Sequence, residues 1–282
     1  MSASAQTVEV RDTWEAAAPG WAKWERKLSA GLDDVTDALL DMAGVGHGMR
    51  VIDLACGAGS QSLRAARRVG PTGRILAVDI SRTMLEHVRH CARQAALNNI
   101  DTAECAAEDL DTSQGRYDAG ICRLGLMLFP SPLRALAAVQ IVLEPNARFA
   151  ALVFTTPAAN PFMARPMEVL LRHAGREPPG TGQPGIFALG GNAALERAMT
   201  HSGFSHVRTR IARVPLRLSS ASEALEMMQE AFGAYRAVVA NLSEAHKAQA
   251  WAAVAECLKE FETNGGFWTE LEFLVCAGAR PP

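Results

Sequence analysis

The stretch VIDLACGAGSQS, from Val51 to Ser62, decides the fold of this 282-residue chain. An apolar run that contains one acid, Asp53, leads directly into a Gly-Ala-Gly turn. Glycines let the backbone adopt positive φ and approach a ligand closely. A buried strand followed by such a turn is typical of α/β folds that bind nucleotide-like cofactors. The stretch predicts a cofactor site, and both a pyrophosphate and a sulfonium cofactor would use its glycines.

Composition limits the class of protein. The chain is 49% hydrophobic and 21% charged, with a formal net charge of -2, as in a globular protein with a sizeable core. No apolar run approaches the length of a membrane span, and the N-terminus lacks the apolar centre of a signal peptide. Four arginines are separated by threonine, apolar residues and a proline, so we interpret them as the solvated face of a strand and not as a nucleic-acid surface. They are Arg208, Arg210, Arg213 and Arg217.

The six cysteines are scattered and form no CxxC pair. A disulfide framework or a zinc site is therefore not expected, and we predict no metal site. A reducing cytoplasm fits this cysteine usage best.

Strands and helices alternate through the first half of the chain. The strands are rich in Val, Ile, Leu and Ala on both faces, as in a parallel sheet covered by helices. The alternation predicts a doubly wound α/β sheet. The predicted strands are 50–55, 74–79, 101–106, 117–122 and 147–155, and the predicted helices are 21–42, 60–69, 82–96 and 131–143.

The pattern changes after residue 155. The segment 156–190 is rich in proline and glycine around a predicted helix at 162–173, and a helix at 192–202 follows. Two further strands, 206–215 and 267–277, are expected to pair antiparallel at the sheet edge, which makes seven strands, mostly parallel. Two helices are expected in 219–263. We predict a helical cap over 1–44 and one domain over 45–282, with lid insertions at 156–190 and 219–263.

Two aspartates discriminate between cofactor classes. Asp79 ends the second predicted strand, twenty-two residues after Gly57, a spacing that suits a carboxylate gripping ribose hydroxyls in either class. Asp53 would repel the pyrophosphate of a dinucleotide but attract the sulfonium and ammonium groups of S-adenosylmethionine, by a few kcal/mol at intermediate dielectric. Ser62 also stands where the dinucleotide fingerprint requires Gly or Ala. These residues favour S-adenosylmethionine over NAD, and hence disfavour an NAD-dependent dehydrogenase.

The segments VIDLACGAG, ILAVDIS, CAAEDLD, YDAGICRLGLMLFPSP and VLEPNARFAALVF resemble the successive motifs of class I S-adenosylmethionine-dependent methyltransferases. The likeness covers about residues 45–155 and is closest to the small-molecule branch around the ubiquinone/menaquinone biosynthesis methyltransferases. It implies that Gly57 and Gly59 line the methionine part, that Asp79 holds the ribose, and that the CAAED segment frames the adenine. The cofactor contacts that we expect are Asp53, Ala55, Gly57, Gly59, Asp79, Ile80, Met84, Ala107, Glu108, Arg123 and Trp21.

Two positions depart from the family pattern. The family's Asp-Ala pair before the Glu of its third motif is Ala106-Ala107 here, so recognition of the ring is expected from backbone groups and from Glu108 or Asp109. The family's Pro-Gly-Gly turn is Pro145-Asn146-Ala147, and we expect the turn to survive because Asn tolerates the left-handed conformation.

The sequence names no catalytic residue. Methyl transfer rests largely on positioning and exclusion of water, so a catalytic motif is not required. The seven histidines are interpreted as surface or structural residues. Arg123, surrounded by apolar residues, either pairs with Asp118 or Asp53 or lines the cofactor or acceptor cavity.

The acceptor is expected to be a small, largely apolar or aromatic molecule, since neither a basic face nor an acceptor-specific motif is present. The tryptophans at 14, 21 and 24 either pack a terminal helix on the core or cap both ligands, and the apolar stripe in 219–241 is mostly core. The acceptor contacts that we expect are Trp14, Met127, Phe162, Met228 and Phe232. The alternative is a protein that keeps the fold and the cofactor but has lost or altered the chemistry. The acceptor's identity, the accepting atom and the oligomeric state stay open.

Overall fold

The helices and strands follow the predicted alternation. A computed structural model describes residues 3–111, 113, 115–180 and 183–282. The α-helices are α1 (Ala3–Ala43), α2 (Ser60–Val69), α3 (Arg82–Gln94), α4 (Pro132–Val142), α5 (Pro161–His173), α6 (Ala194–His201), α7 (Ala221–Ala231), α8 (Gly233–Val239) and α9 (Glu244–Leu258). The strands are β1 (Arg50–Leu54), β2 (Arg74–Asp79), β3 (Ile100–Glu104), β4 (Tyr117–Arg123), β5 (Leu143–Phe154), β6 (Ser205–Leu218), β7 (Glu262–Thr263) and β8 (Gly266–Ala279).

One mixed sheet organises the molecule. Its strand order is β3-β2-β1-β4-β5-β8-β6, and the two-residue β7 pairs with β8. The first five strands in this order are parallel, whereas β8 runs antiparallel to both β5 and β6. The doubly wound, mostly parallel sheet and the antiparallel pairing at its edge are therefore confirmed.

The register of the central strands positions the site. Leu54, the last residue of β1, stands opposite Val78 of β2 and Cys122 of β4. Asp79 and Arg123 follow these partners directly, so both lie at the carboxyl edge next to the glycine turn. In doubly wound sheets ligands bind at this edge.

Helix α1 is longer than the predicted helix over 21–42, because it continues through Pro19. Proline removes one N–H from the helix and normally kinks or breaks it. Contacts with the insertion between β6 and β8 hold this helix in place on both sides of Pro19. The indole N–H of Trp24 donates to Glu230 Oε2 at 2.6 Å, and Arg236 donates to the carbonyl of Ala16 at 2.9 Å.

The insertion between β6 and β8 contains three α-helices where two were expected. Phe232 adopts a non-helical ψ of 83°, so the apolar stripe predicted along one helix is divided between α7 and α8. Gly233 then opens α8 against α1, and a Cβ at Gly233 would lie 3.3 Å from Thr13 and from Ala17. The break turns the residues on its two sides in different directions.

Asn146 has a φ of 66°, which confirms the left-handed conformation expected there, although the surrounding residues belong to β5. No helix in the described ranges is both long enough and apolar enough to cross a bilayer.

Candidate active site

A first cavity opens at the carboxyl ends of β1, β2 and β4, with about 1020 Å³ of empty space that is partly open to solvent. The structure brings together at this cavity the predicted residues Ala55, Gly57, Asp79, Ile80, Met84, Ala107, Glu108, Arg123 and Trp21. We call it the cofactor cavity.

The two glycines of the turn have different tasks. Gly57 has a φ of +55°, and a Cβ built on it would meet nothing within 4 Å, because the space above it is the cofactor cavity. Gly59 has a φ of +96° and does not line this cavity. A Cβ at Gly59 would lie 2.7 Å from Val88 Cγ2, so this glycine allows α2 to pack against α3. The expected contact of Gly59 with the methionine part therefore gains no support from the cavity lining.

Asp53 lies behind the cavity wall and not in it. It is fully buried, Ser62 Oγ donates to its Oδ2, and Gln61 Nε2 donates to its Oδ1 at 3.4 Å. Burial raises the pKa of Asp53 to about 7, although the hydrogen bond from Ser62 acts to lower it. Residues of α2 cover this carboxylate, so Asp53 does not line the cavity and its expected direct contact with the cofactor gains no support from the structure. Gln61, which the sequence did not single out, lines the cavity instead.

Asp79 lines the cofactor cavity with an oriented carboxylate. Its Oδ2 accepts the backbone N–H of Gly57 at 2.9 Å, and its Oδ1 accepts the N–H of Ser81 at 2.9 Å. Burial raises the pKa of this carboxyl, while the backbone hydrogen bonds oppose the rise. Each carboxylate oxygen has two lone pairs, so both can accept a further bond from a ligand hydroxyl.

The wall beside Asp79 is small and apolar, formed by Ala106 and Ala107 next to Glu108. Glu108 Oε1 accepts the backbone N–H of Ser131 at 3.1 Å, which holds the following loop against the cavity. Asp109 pairs with Arg134 at 3.0 Å and does not line the cavity. Of the two acids considered for ring recognition, the structure leaves Glu108.

Arg123 lines the cofactor cavity and forms no ion pair within 4 Å in the described part of the chain. Its Nη1 donates to Thr36 Oγ1 at 3.1 Å and its Nη2 donates to Ser60 Oγ at 2.5 Å. Asp118 instead accepts the backbone N–H of Arg50 at 2.8 Å. The pairing of Arg123 with Asp118 or Asp53 was therefore wrong. Burial lowers the pKa of Arg123, although it leaves the guanidinium charged at neutral pH.

Helix α1 crosses the cofactor cavity and is held there by two acids that the sequence did not single out. Glu15 accepts from Ser81 Oγ at 2.6 Å and from the hydroxyl of Thr83. Glu25 Oε1 accepts the backbone N–H of Ser60 at 3.1 Å. Both carboxylates lie at helix N-termini, of α3 and α2, where negative charge is stabilised. Burial raises the pKa of Glu15, but hydrogen bonds from Ser81 and Thr83 outweigh it and leave the pKa lowered.

A second cavity, which we call the apolar cavity, adjoins the first and holds about 820 Å³ of empty space. Six residues line both cavities: Trp14, Trp21, Leu28, Leu32, Leu124 and Leu128. Of the predicted acceptor contacts, Trp14, Met127, Phe162 and Phe232 line the apolar cavity. Met228 does not line it; this side chain is fully buried on α7, so its predicted contact with the acceptor gains no support from the cavity.

The chemistry of the apolar cavity is uniform. No charged side chain from the described residues lines it. The hydroxyl of Tyr235 donates to the carbonyl of Met163 at 2.6 Å, so it is already engaged. The indole N–H of Trp21, between the two cavities, is buried without a hydrogen-bond partner in the structure. A buried unpaired donor costs about 1–3 kcal/mol, so this position suits a ligand acceptor.

These features fit an adenosine-containing cofactor with an amino-acid end. The space over Gly57 admits a ligand against the backbone, and Asp79 offers acceptors to hydroxyls. No group of His, Cys, Asp and Glu within the described ranges is arranged to hold a metal ion.

Comparisons with known proteins agree with this geometry. Residues 46–169 match the family described as Methyltransferase domain. The chain is 33% identical over 153 residues to the 2-phytyl-1,4-naphtoquinone methyltransferase of Trichormus variabilis, covering 54% of this chain and 67% of that protein. It is 33% identical over 123 residues to the ubiquinone/menaquinone biosynthesis C-methyltransferase UbiE of Haemophilus ducreyi, covering 43% of this chain and about half, 48%, of that protein.

The fold is shared with the YcgJ protein of Bacillus subtilis, which superimposes with a TM-score of 0.60 at 15% identity. The superposition covers 89% of this chain and 99% of that chain. One assignment accounts for the sheet order, the glycine turn, the position of Asp79 and the sequence relatives. The chain belongs to the class I S-adenosylmethionine-dependent methyltransferases.

Proposed function

We propose that this protein transfers the methyl group of S-adenosylmethionine to a small, largely apolar or aromatic acceptor held in the apolar cavity. The observation that carries the proposal is the wall shared by the two cavities, in which Trp14 and Trp21 contact both. A cofactor and an acceptor bound on the two sides of this wall would meet beside Trp21.

Bound in the first cavity, the cofactor supplies an electrophilic methyl group on a sulfonium. The residues of this chain would bind and orient the two partners. Asp79 would hold the ribose, and Ala106 and Ala107 would face the adenine ring. The N-terminal helix and the helical insertion would exclude water from the transfer, as we proposed for the lid segments 1–44, 156–190 and 219–263. Positioning of this kind supplies a large part of the barrier reduction in two-substrate reactions.

The side chains around the apolar cavity favour a reaction that needs no strong protein base. The cavity offers no His, Asp, Glu or Lys from the described chain, and the Tyr235 hydroxyl is engaged by Met163. Burial raises the pKa of Tyr235 further above its usual range, so it would not act as a base.

We infer the chemical class of the acceptor from the residues that line the apolar cavity and from the names of the sequence relatives. Aromatic side chains such as Phe154, Phe162 and Phe273 surround the apolar cavity and suit a flat or branched apolar molecule. The relatives are named for a phytylated naphthoquinone and for quinone biosynthesis. We propose quinol-type aromatic rings as the first acceptors to test. We place the protein in the cytoplasm, in keeping with six free cysteines.

Two measurements test the proposal. Calorimetry should show S-adenosylhomocysteine binding at about micromolar Kd or tighter, with no binding of NAD. Label from methyl-labelled S-adenosylmethionine should then pass to members of a panel of 1,4-naphthoquinols and alkylated phenols. Binding of NAD as tight as that of S-adenosylhomocysteine would contradict the cofactor. Cofactor binding with no transfer to any member would favour a protein of this fold that does not methylate.

A variant that fills the apolar cavity sharpens the test. Leu271 lines the apolar cavity but not the cofactor cavity, so Leu271→Trp should abolish transfer and leave the affinity for S-adenosylhomocysteine unchanged. Ile211→Trp, on the exposed face of β6, is the matched control and should change neither. Full transfer by Leu271→Trp would show that the acceptor binds elsewhere.

A further inference from the structure

Two opposite charges line the cofactor cavity without pairing with each other. Glu25 of α1 and Arg123 of β4 both contact Ser60, the first residue of α2. Glu25 accepts the backbone N–H of Ser60, and Arg123 donates to its hydroxyl. No nitrogen of Arg123 lies within 4 Å of a Glu25 oxygen, since no ion pair forms between these two described residues.

Arg123 has N–H donors that are not used in hydrogen bonds to other residues. Each terminal nitrogen of a guanidinium carries two N–H groups, and Arg123 uses one on Thr36 and one on Ser60. Both partners are neutral hydroxyls. Burial destabilises a cation by several kcal/mol, and the nearby carboxylates, with Glu25 the largest contributor, offset this only in part for Arg123, since its pKa remains lowered. The position of Arg123 on the cavity wall allows a bound anion to reach it.

Glu25 has a matching acceptor. The hydrogen bonds from Ser60 N–H and from Ser29 Oγ, both 3.1 Å long, go to the same oxygen, Oε1. The other oxygen, Oε2, accepts no hydrogen bond in the described structure, and the residue lines the cavity. A cationic group in the cavity would therefore find a carboxylate that is oriented but not saturated.

We infer that Glu25 and Arg123 form a subsite for the zwitterionic amino-acid end of the cofactor. The Arg123 guanidinium binds the α-carboxylate, and the Glu25 carboxylate binds the α-ammonium. This inference rests on the proposed function. The ribose and the adenine carry no charge and match Asp79 and the alanine wall instead, and the sulfonium is a cation that would not bind the Arg123 guanidinium.

Helix α1 contributes a side chain directly to this subsite. Glu25 is thirty-five residues before Ser60 in the chain and reaches it only because α1 lies across the cavity. The subsite is incomplete without α1, so the N-terminal helix contributes to cofactor affinity through a side chain and not only by covering the site.

The test compares two ligands that differ only in this end. S-adenosylhomocysteine carries the amino-acid group, and 5′-methylthioadenosine keeps the adenosine and the thioether but lacks it. Charge-assisted hydrogen bonds are worth about 1.5–3 kcal/mol, which is about 10–100-fold in Kd. Arg123→Met and Glu25→Gln should each weaken S-adenosylhomocysteine by about that factor in calorimetry. The Kd of 5′-methylthioadenosine should stay within about twofold.

Glu9→Gln is the matched control. Glu9 also lies on α1, but it is exposed and does not line the cofactor cavity. This variant should leave the ratio of the two Kd values unchanged even where it lowers Tm. Arg123→Lys keeps the charge but loses the two-pronged geometry, and should lie between Arg123→Met and the wild type.

The outcomes separate the subsite from the proposed function. If both ligands weaken equally in Arg123→Met and in Glu25→Gln, these residues only support the cavity, and the inference is overturned. If Arg123→Met does not fold, Arg123→Lys and Glu25→Gln decide by the same ratio. If the wild-type protein binds neither ligand, the cofactor assignment fails instead, and no ratio can be formed.

Discussion

The backbone N–H of Gly57 and the carboxylate of Asp79 form a 2.9 Å hydrogen bond across 22 residues of chain. The bond fixes the glycine turn against the end of β2, and the second carboxylate oxygen of Asp79 fixes the N–H of Ser81 in the same way. The acid that would bind the ribose thus also shapes the two loops around it. Variants of Asp79 must be chosen with both tasks in mind.

Asp79→Asn is the variant that separates these tasks. The amide keeps the shape but replaces one acceptor oxygen by a donor and removes the charge, so S-adenosylhomocysteine should bind at least about tenfold more weakly. Asp79→Ala should also lower Tm, because it leaves two backbone N–H groups unpaired at about 1–3 kcal/mol each. Calorimetry and thermal unfolding measure the two effects. Normal affinity in Asp79→Asn would mean that the ribose lies elsewhere.

The two glycines of the turn should respond differently to alanine. Gly59→Ala should destabilise the fold by several °C in Tm, because the new methyl group would collide with Val88. Gly57→Ala should unfold with a Tm closer to that of the wild type, since its Cβ enters open space, but bind S-adenosylhomocysteine more weakly. Both carry the penalty of a positive φ, about 1 kcal/mol. Equal losses of Tm in the two variants would contradict this division.

Stability should fall with rising pH because of Asp53. Its pKa is raised from 3.8 to about 7, so between these values the folded state binds a proton that the unfolded state does not. The free energy of unfolding should therefore decrease as pH rises, by up to about 1.4 kcal/mol per pH unit from this group. The contribution is complete below the unfolded pKa and is lost as pH passes the folded pKa.

Asp53→Asn removes this proton. In denaturant titrations across this pH range, the wild type should lose stability relative to Asp53→Asn as the pH rises. The comparison isolates one group, because all other acids are shared by the two proteins. Parallel curves for the two would show that Asp53 is ionised throughout.

Substitutions in the insertion between β6 and β8 should have two kinds of effect, depending on whether the residue lines the apolar cavity or packs in the core. Phe232→Ala should impair transfer to the acceptor and leave the affinity for S-adenosylhomocysteine unchanged, because Phe232 lines only the apolar cavity. Trp21→Ala should impair both, since Trp21 lines both cavities and packs 6.4 Å from Phe232 between ring centroids. Unchanged cofactor affinity in Trp21→Ala would place that side chain outside the ligand site.

Met228→Ala is the control for this series. Met228 is fully buried, and its truncation should lower stability by about 2–5 kcal/mol, with the kinetics of the remaining folded protein unchanged. Thermal unfolding and steady-state transfer on the same sample separate the two effects. A large fall in transfer at unchanged Tm would mean that Met228 reaches the acceptor after all.

The fold was predictable from the sequence because parallel strands that are buried on both faces appear in it as continuous apolar segments. The alternation of these segments with amphipathic helices along the chain indicates a doubly wound sheet. The edge of the sheet at which Asp79 and Arg123 meet followed from the same rule. The motif did not reveal which of its residues face the ligand. Gly59 is in the turn, yet its neighbour is Val88 on α3, a contact that appears only in three dimensions.

The contributions of α1 could not be predicted in the same way. Glu25 belongs to no motif, and its contact with Ser60 depends on where a distant helix docks. Pro19 normally ends a helix, and only the packing of α1 on the insertion overrides it. One backbone angle, at Phe232, divides the predicted apolar stripe between two helices, and Met228 is fully buried on the first of them. Such side-chain contacts depend on long-range packing, which the local periodicity of the sequence does not reveal.

The exposed arginines of β6 have a consequence for association between chains. This 14-residue strand is the outer edge of the sheet, and an open edge of that length is a template for pairing with another strand. Arg210 and Arg217 place bulky positive charges along it, Arg213 is paired with Glu272 at 2.7 Å, and Pro215 has no N–H to offer a partner. Pairing of two such edges would bring the charges of Arg210 and Arg217 towards those of a second strand. The arginines therefore protect the sheet against growing into a neighbouring molecule.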